Sequence, residues 1–248
     1  MIVDRLTIAY QTSRTLAATL QDLGAALPLS FPAALALRRT TYLVSAILAP
    51  AITTQVDVAA IGLVLVTAAA ALGADVAPDD AAPAFAAAAA TAAVAAPRFT
   101  SPALTRAGAF GRALAASVEV ACLGQGFLAE ARRGFGDQQS AVAARRRIAA
   151  AMDGATDRIA NAAGPDVMAV LSQVAALAAG HIATIATDVR PVVGVETPRS
   201  SPSTAIAFAL YGDPARAPEL VARNAVACSI FMPTKLQALA PKAPASKA

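Results

Sequence analysis

The chain has 248 residues, 57% hydrophobic and 15% charged, which is enough to bury a core and far from a disordered composition. Alanine supplies 70 positions, against 8 Phe, 3 Tyr and no Trp, so the composition leans to helix and excludes an all-β sandwich or barrel. The formal net charge is +4, but the only three lysines, Lys235, Lys242 and Lys247, stand near the C-terminus, and 17 Arg against 16 acids is weak ground for nucleic-acid binding.

Two cysteines, Cys122 and Cys228, form no CxxC pair, which excludes a zinc ribbon or a disulfide framework. A single histidine, His181, removes most His-based metal sites. No cofactor and no metal is expected. Asp4 and Arg5 interrupt any secretory h-region at the start. The nearest approach to a membrane span is residues 58–74, which are short and mostly alanine; a buried core helix is the preferred reading.

In chain order, Leu16, Leu20, Leu23 and Leu27 predict a first helix over 4–24, stopped by Gly24. Ser30-Phe31-Pro32 opens a second that ends before Pro50. Thr53 or Thr54 caps a third, ending near Gly73. Asp79 and Asp80 open an Ala-rich fourth that stops before Pro97. From Thr100-Ser101-Pro102 a long helical pattern runs to Arg133, with Gly108, Gly111, Gly124 and Gly126 as candidate breaks. Gly134-Phe135-Gly136 is a turn, after which Asp137 caps a helix reaching towards Ala163. Gly164-Pro165 separates that helix from another over 166–188. Beyond Pro191 the texture changes. Residues 192–195 read as a strand, 203–211 and 214–224 as short helices, and 235–239 as a last strand. The fold class expected is therefore mainly α: a helical body over 1–190, divisible into 1–99 and 100–190. A small α+β module over 191–240 and a disordered tail over 241–248 follow.

No catalytic constellation emerges. Gly124-Gln-Gly126-Phe-Leu-Ala129 matches the GxGxxA form of a dinucleotide fingerprint. An Arg-rich helical segment follows it where a βαβ unit and a distant acid are required, so close helix packing explains the glycines better. His181 sits in an apolar helical pattern and reads as a structural histidine. There is no GxSxG, DxD or HExxH. Arg132, Arg133, Arg145, Arg146 and Arg147 bracket a turn and form a candidate basic patch across a helical hairpin. Glu130 and Asp137 lie among them and no aromatic series is interleaved, so a solvated or intersubunit face is preferred.

The strongest local pattern is Ala205-Ile-Ala-Phe-Ala-Leu-Tyr-Gly-Asp-Pro-Ala-Arg-Ala-Pro-Glu-Leu-Val-Ala-Arg-Asn224. A helix that buries Ile206, Leu210 and Tyr211 ends at Gly212, where a left-handed residue is easy. Asp213 and Pro214 open a second helix whose Leu220 and Val221 face the first. Asn224 suits a left-handed end position.

Leu210-Tyr-Gly-Asp213, Arg216-Ala217 and Glu219-Leu-Val-Ala-Arg-Asn224 resemble the C-terminal end of the Mu-like phage DNA circularisation (DNA circulation) family, with its degenerate LysM-like module. The likeness spans roughly 105–240 and is specific around 208–224. The family's HP is replaced around Ala227-Cys228, and the Gly usual before the last strand is missing near Pro233-Thr234. Its Trp- and Gly-containing β-rich N-terminal domain has no counterpart in residues 1–100. The resemblance implies a structural component of a phage tail at or near the baseplate hub, located in the virion and in host cytoplasm during assembly. Its partners would be hub, tube or tape-measure proteins and copies of itself, as a trimer or hexamer. Tyr211, Asp213, Arg216, Glu219, Arg223 and Asn224 are the candidate interaction residues; capping and packing inside the module is the competing account of each. No enzymatic activity is expected. A DNA-binding or DNA-end-protecting protein delivered with the genome, and a membrane-associated helical protein, are the alternatives.

Overall fold

The computed structural model describes residues 5–241. The expected tail therefore lies, from residue 242 on, outside the described residues. Among these, ten α-helices and one two-stranded antiparallel sheet are present: a mainly α fold with a small sheet near the C-terminus. The helices are α1 (Arg5–Ala26), α2 (Phe31–Tyr42), α3 (Gln55–Asp75), α4 (Pro78–Ala92), α5 (Pro102–Ala107), α6 (Ala109–Arg132), α7 (Gln138–Ala163), α8 (Pro165–Asp188), α9 (Ser203–Tyr211) and α10 (Ala217–Arg223). The strands are β1 (Val192–Glu196) and β2 (Lys235–Leu239).

The chain divides into two compact units. One runs up to Arg133 and resumes over Arg146–His181; the other joins Gly134–Arg145 to the residues from Ile182 on. This differs from a single cut near residue 190, because the start of α7 and the end of α8 belong with the terminal strands.

In the first unit α6 is the central helix, and α4, α3 and α1 pack on it. Small residues make this possible. A Cβ at Gly126 would sit at ordinary contact distance, 3.6 Å from the Cβ of Phe85 and 4.0 Å from the carbonyl of Ala82, both on α4. A Cβ at Gly111 would stand 2.8 Å from Thr12 Oγ1 on α1. The α4 face turned inward is Ala81, Ala82, Phe85, Ala88, Ala89 and Ala92, so alanine serves here as a buried spacer. Gly124 has open space beside it and Gly126 ordinary contact distance, so close packing requires a glycine at neither fingerprint position. Of the four expected breaks, Gly108 alone interrupts the helix, ending α5 and preceding α6.

Helix starts follow local chemistry. Thr54 and Asp57 form a reciprocal capping box at α3, and the Asp57 carboxylate accepts hydrogen bonds from the backbone and hydroxyls of both Thr53 and Thr54. Ser30 caps α2, and its N–H and Oγ also donate to Asp75 at the end of α3, at 2.9 and 2.8 Å. The helical run through α2 continues to Leu48, but Leu43–Leu48 takes π form, with Ala49 N–H donating to Val44 O.

Two carboxylates are buried on α6. Glu130 accepts from Arg147 Nε and Nη2 at 2.7 and 3.0 Å. Glu119, 2% exposed, accepts a fork from Arg158 Nε and Nη2. The acids are eleven residues apart on α6 and the arginines eleven apart on α7, in opposite chain directions. Eleven residues is close to three turns, so both pairs lie on one face and fix the antiparallel register of the two helices.

Much apolar surface points outward. Val56 and Leu63 on α3 and Val170 and Leu177 on α8 are exposed, Leu177 to 68%. By length and composition alone, α3, α6 and α8 are each apolar enough to cross a membrane, with mean hydropathies of 2.1, 1.2 and 1.6. Within the structure α6 is the most enclosed of the three and α8 the least.

Arg158→Met is expected to cost about 3 kcal/mol in urea unfolding, because it strands the Glu119 carboxylate. Glu119→Met with Arg158→Met is expected to recover most of that loss, since an apolar pair of similar bulk needs no desolvated charge. Equal losses in the single and double variants would show that the ion pair is not what matters there.

Candidate functional site

The candidate residues of the terminal segment fold as a strand–helix–helix–strand module inside the second unit. β1 and β2 pair antiparallel, with Val192 opposite Leu239 and Glu196 opposite Lys235. Ile206, Ala207, Ala217, Leu220, Met232, Leu236 and Ala238 form its core, with Leu210, Tyr211 and Val221 partly buried against it. Gly212 takes a φ of 71° and its N–H donates to Phe208 O, closing α9 in the left-handed form the sequence predicts. The Asp213 carboxylate accepts from Ala215 N–H at 2.9 Å and starts a 3₁₀ turn, Pro214–Arg216, that leads into α10.

Each of the other candidates is also engaged within the module or the rest of its unit. The Arg216 guanidinium lies 3.7 Å over the Tyr211 ring and pairs with Glu219. Burial, then the charge of Glu219, raises the Tyr211 pKa. Arg223 Nη1 donates to Asp137 Oδ2 at 3.0 Å, while Asp137 Oδ1 accepts from Ser140 N–H and caps α7. Burial pushes the Asp137 carboxyl up, but the Ser140 and Arg223 hydrogen bonds together outweigh it and leave its pKa below the ordinary value. Asn224 joins α10 to β2: its Nδ2 donates to Leu220 O and Gln237 O, and its Oδ1 accepts from Gln237 N–H at 2.7 Å. Asn224 itself is not left-handed, with a φ of −97°. Ala225 takes that role with a φ of 50°, because the Asn224 amide is committed to the strand.

The module also leaves large apolar side chains outside. Phe208, Ile230 and Phe231 are exposed, the last to 70%. Sequence reasoning passed over them, since a large apolar residue in a short helix or loop reads as core. The one available signal was that Phe208 lies two positions from Ile206 and Leu210, off the buried stripe.

The five arginines are not one free patch. In the first unit, Arg132 Nη2 donates to Gly73 O at 3.0 Å, Arg133 pairs with Asp79 and Glu130, and Arg147 forks onto Glu130. Glu130, Arg133 and Arg147 line a cavity of about 370 Å³ whose other walls include Cys122, Leu123 and Phe127. Burial first, then the charge of Glu119, pushes the Cys122 thiol up to about 12, so it stays protonated at neutral pH. Arg145 and Arg146 are exposed and have no carboxylate partner among the described residues. His181 is exposed on α8, not the packed structural histidine the pattern suggested, because the buried stripe there passes through Ala178 and Ile182. The GxGxxA segment lies wholly inside α6, with no strand before it among the described residues. No group of three or more His, Cys, Asp or Glu among the described residues is arranged to hold a metal ion.

Asn224→Ala is expected to destabilise the module by about 2 kcal/mol and to speed amide exchange at Gln237, read by native-state hydrogen exchange. The lowered Asp137 pKa sets a direction with pH. The stability it lends is complete above the ordinary aspartate range and is lost as the pH falls through the folded value. Asp137→Asn should flatten the acid limb of a stability–pH curve and leave the neutral-to-alkaline shape unchanged.

No known protein-family model matches the chain, and no curated protein matches it.

Proposed function

We propose that this protein is a structural subunit of a bacteriophage tail, at or near the baseplate hub, acting through protein–protein contacts in tail assembly and genome delivery. The observation that carries this reading is the amount of large apolar surface turned outward on rigid helices. Phe31 on α2, Val56 and Leu63 on α3, and Val170 and Leu177 on α8 stand in solvent. A groove of about 430 Å³ between α2 and α3 is lined by Leu37, Leu63, Val64 and Leu72 and by no charged residue. Surface of this kind marks sites that other proteins cover. Abundant alanine suits helix-on-helix docking, because small side chains let backbones approach. The terminal module adds Phe208, Ile230 and Phe231 as apolar contacts, on a frame whose segment 208–224 resembles the circularisation family. Its strand–helix–helix–strand order agrees with a degenerate LysM-like domain. Partners are hub, tube or tape-measure proteins and further copies of the chain, in a trimer or hexamer.

Membrane association is the second reading, favoured by the hydropathy and length of α3, α6 and α8. The two buried ion pairs on α6 speak for α6 as a core helix of a water-facing protein. DNA binding is weaker, because three of the five clustered arginines are already engaged within the first unit.

Mass spectrometry of purified particles and separated tails is expected to find the chain at a low, fixed copy number in tails. In light scattering the purified protein should exceed monomer mass, and Val170→Glu with Leu177→Glu should shift it towards monomer without loss of helical circular dichroism. A chain absent from tails and released with ejected DNA would overturn the assembly role. Extraction only with detergent would transfer the apolar faces to lipid.

A further inference from the structure

We propose that the first unit contains a binding pocket for a phosphate group, carried by free phosphate or by a small phosphomonoester, formed by Arg98 and Arg112. This goes beyond the assembly role and rests on different residues. A cavity of about 240 Å³ is lined by Arg98, Arg112, Arg158, Glu119, Asn161 and a floor of alanines. Three guanidinium groups face one carboxylate there, and no second acid lines the space, so the lining carries a net charge of +2.

The single carboxylate is spoken for. Glu119 receives the fork from Arg158, whose Nη1 donates in turn to Gly154 O at 2.8 Å. That pair is neutral and closed. Among the described residues neither Arg98, which is exposed, nor Arg112, which is half-buried, forms an ion pair or donates a side-chain hydrogen bond. Two unpaired guanidiniums at one small cavity repel each other and supply up to ten N–H donors without acceptors. A dianionic phosphate monoester matches both the charge and the fork geometry of these groups.

The backbone around the two arginines is tied down, while Arg112 itself is half-buried and Arg98 exposed. Arg112 stands in the first turn of α6 beside Gly108, where a Cβ would be 2.9 Å from its Nη1 and 3.1 Å from Phe99 Cε2. The missing side chain at Gly108 is what leaves room for both the guanidinium and the ring. Arg98 precedes Phe99, whose carbonyl accepts from Thr105 Oγ1 at 3.1 Å, tying the loop back to α5. Ala93, Ala96, Ala115, Ala116 and Ala162 provide apolar walls that suit a short carbon body attached to the phosphate.

The test is isothermal titration of the full chain with inorganic phosphate, with glycerol phosphate, and with phosphatidylcholine vesicles with and without phosphatidic acid. Saturable binding of either soluble phosphate is expected. Arg98→Gln with Arg112→Gln should weaken it about tenfold or more, while Arg145→Gln with Arg146→Gln leaves it unchanged. Ala162→Glu, which keeps both arginines and places a carboxylate at the cavity wall, should also abolish binding; circular dichroism checks that each variant folds. Binding only to phosphatidic acid vesicles, lost in the Arg98/Arg112 variant alone, would overturn the soluble ligand and place a lipid headgroup there. The proposal fails if no probe binds, or if the Arg145/Arg146 variant loses as much as the Arg98/Arg112 variant.

Discussion

The register of α6 against α7 depends on two buried carboxylates that cannot be left alone. Glu119 and Glu130 are placed on the inner face of α6, where an unpaired charge would cost several kcal/mol. Each is paired with an arginine of α7, and those two arginines repeat at the same interval as the acids. Sliding α7 by one turn would strand both charges together. Alanine and glycine surfaces pack smoothly in many registers, because they have few large knobs to interlock. In a body this rich in small residues, the ion pairs supply the specificity that side-chain shape supplies elsewhere.

That arrangement also bears on where the surface carries charge and where it does not. With the acids of α6 consumed inside, the outward faces of α3 and α8 are left almost free of charge. The arginines near the 134–136 turn are mostly drawn inward as partners. The apolar exterior and the neutral interior pairs are two sides of one distribution of charge.

The helix boundaries were legible because their causes are local. Thr54 with Asp57, Ser30 with Pro32, Gly212 and Asp213 each act within four residues of the boundary they set. The two strands were legible from β-branched texture and from the breaks around them. What was not legible depends on distant partners. Asn224 does not take the left-handed conformation, because its amide is bonded to Gln237, thirteen residues on. Glu130 among arginines looked like part of a solvated cluster until α7 was folded beside it. His181 looked buried because its neighbours are apolar, but the helical phase puts Ile182 inside and His181 out. Exposed Phe208, Ile230 and Phe231 could not be told from core residues without knowing which face the sheet covers.

The six polar residues of the terminal segment are engaged within the module or, for Arg223, with Asp137 at the start of α7, whereas Phe208, Ile230 and Phe231 contribute little to its core. The frame and the exposed apolar face thus rest on different residues. Substitution at the three apolar positions leaves the module's core contacts in place. Substitution at Asp213, Arg216 or Asn224 instead weakens the frame itself. The face can therefore change its chemistry while the Leu-Tyr-Gly-Asp and Arg-Asn segments, which build the frame, stay as they are.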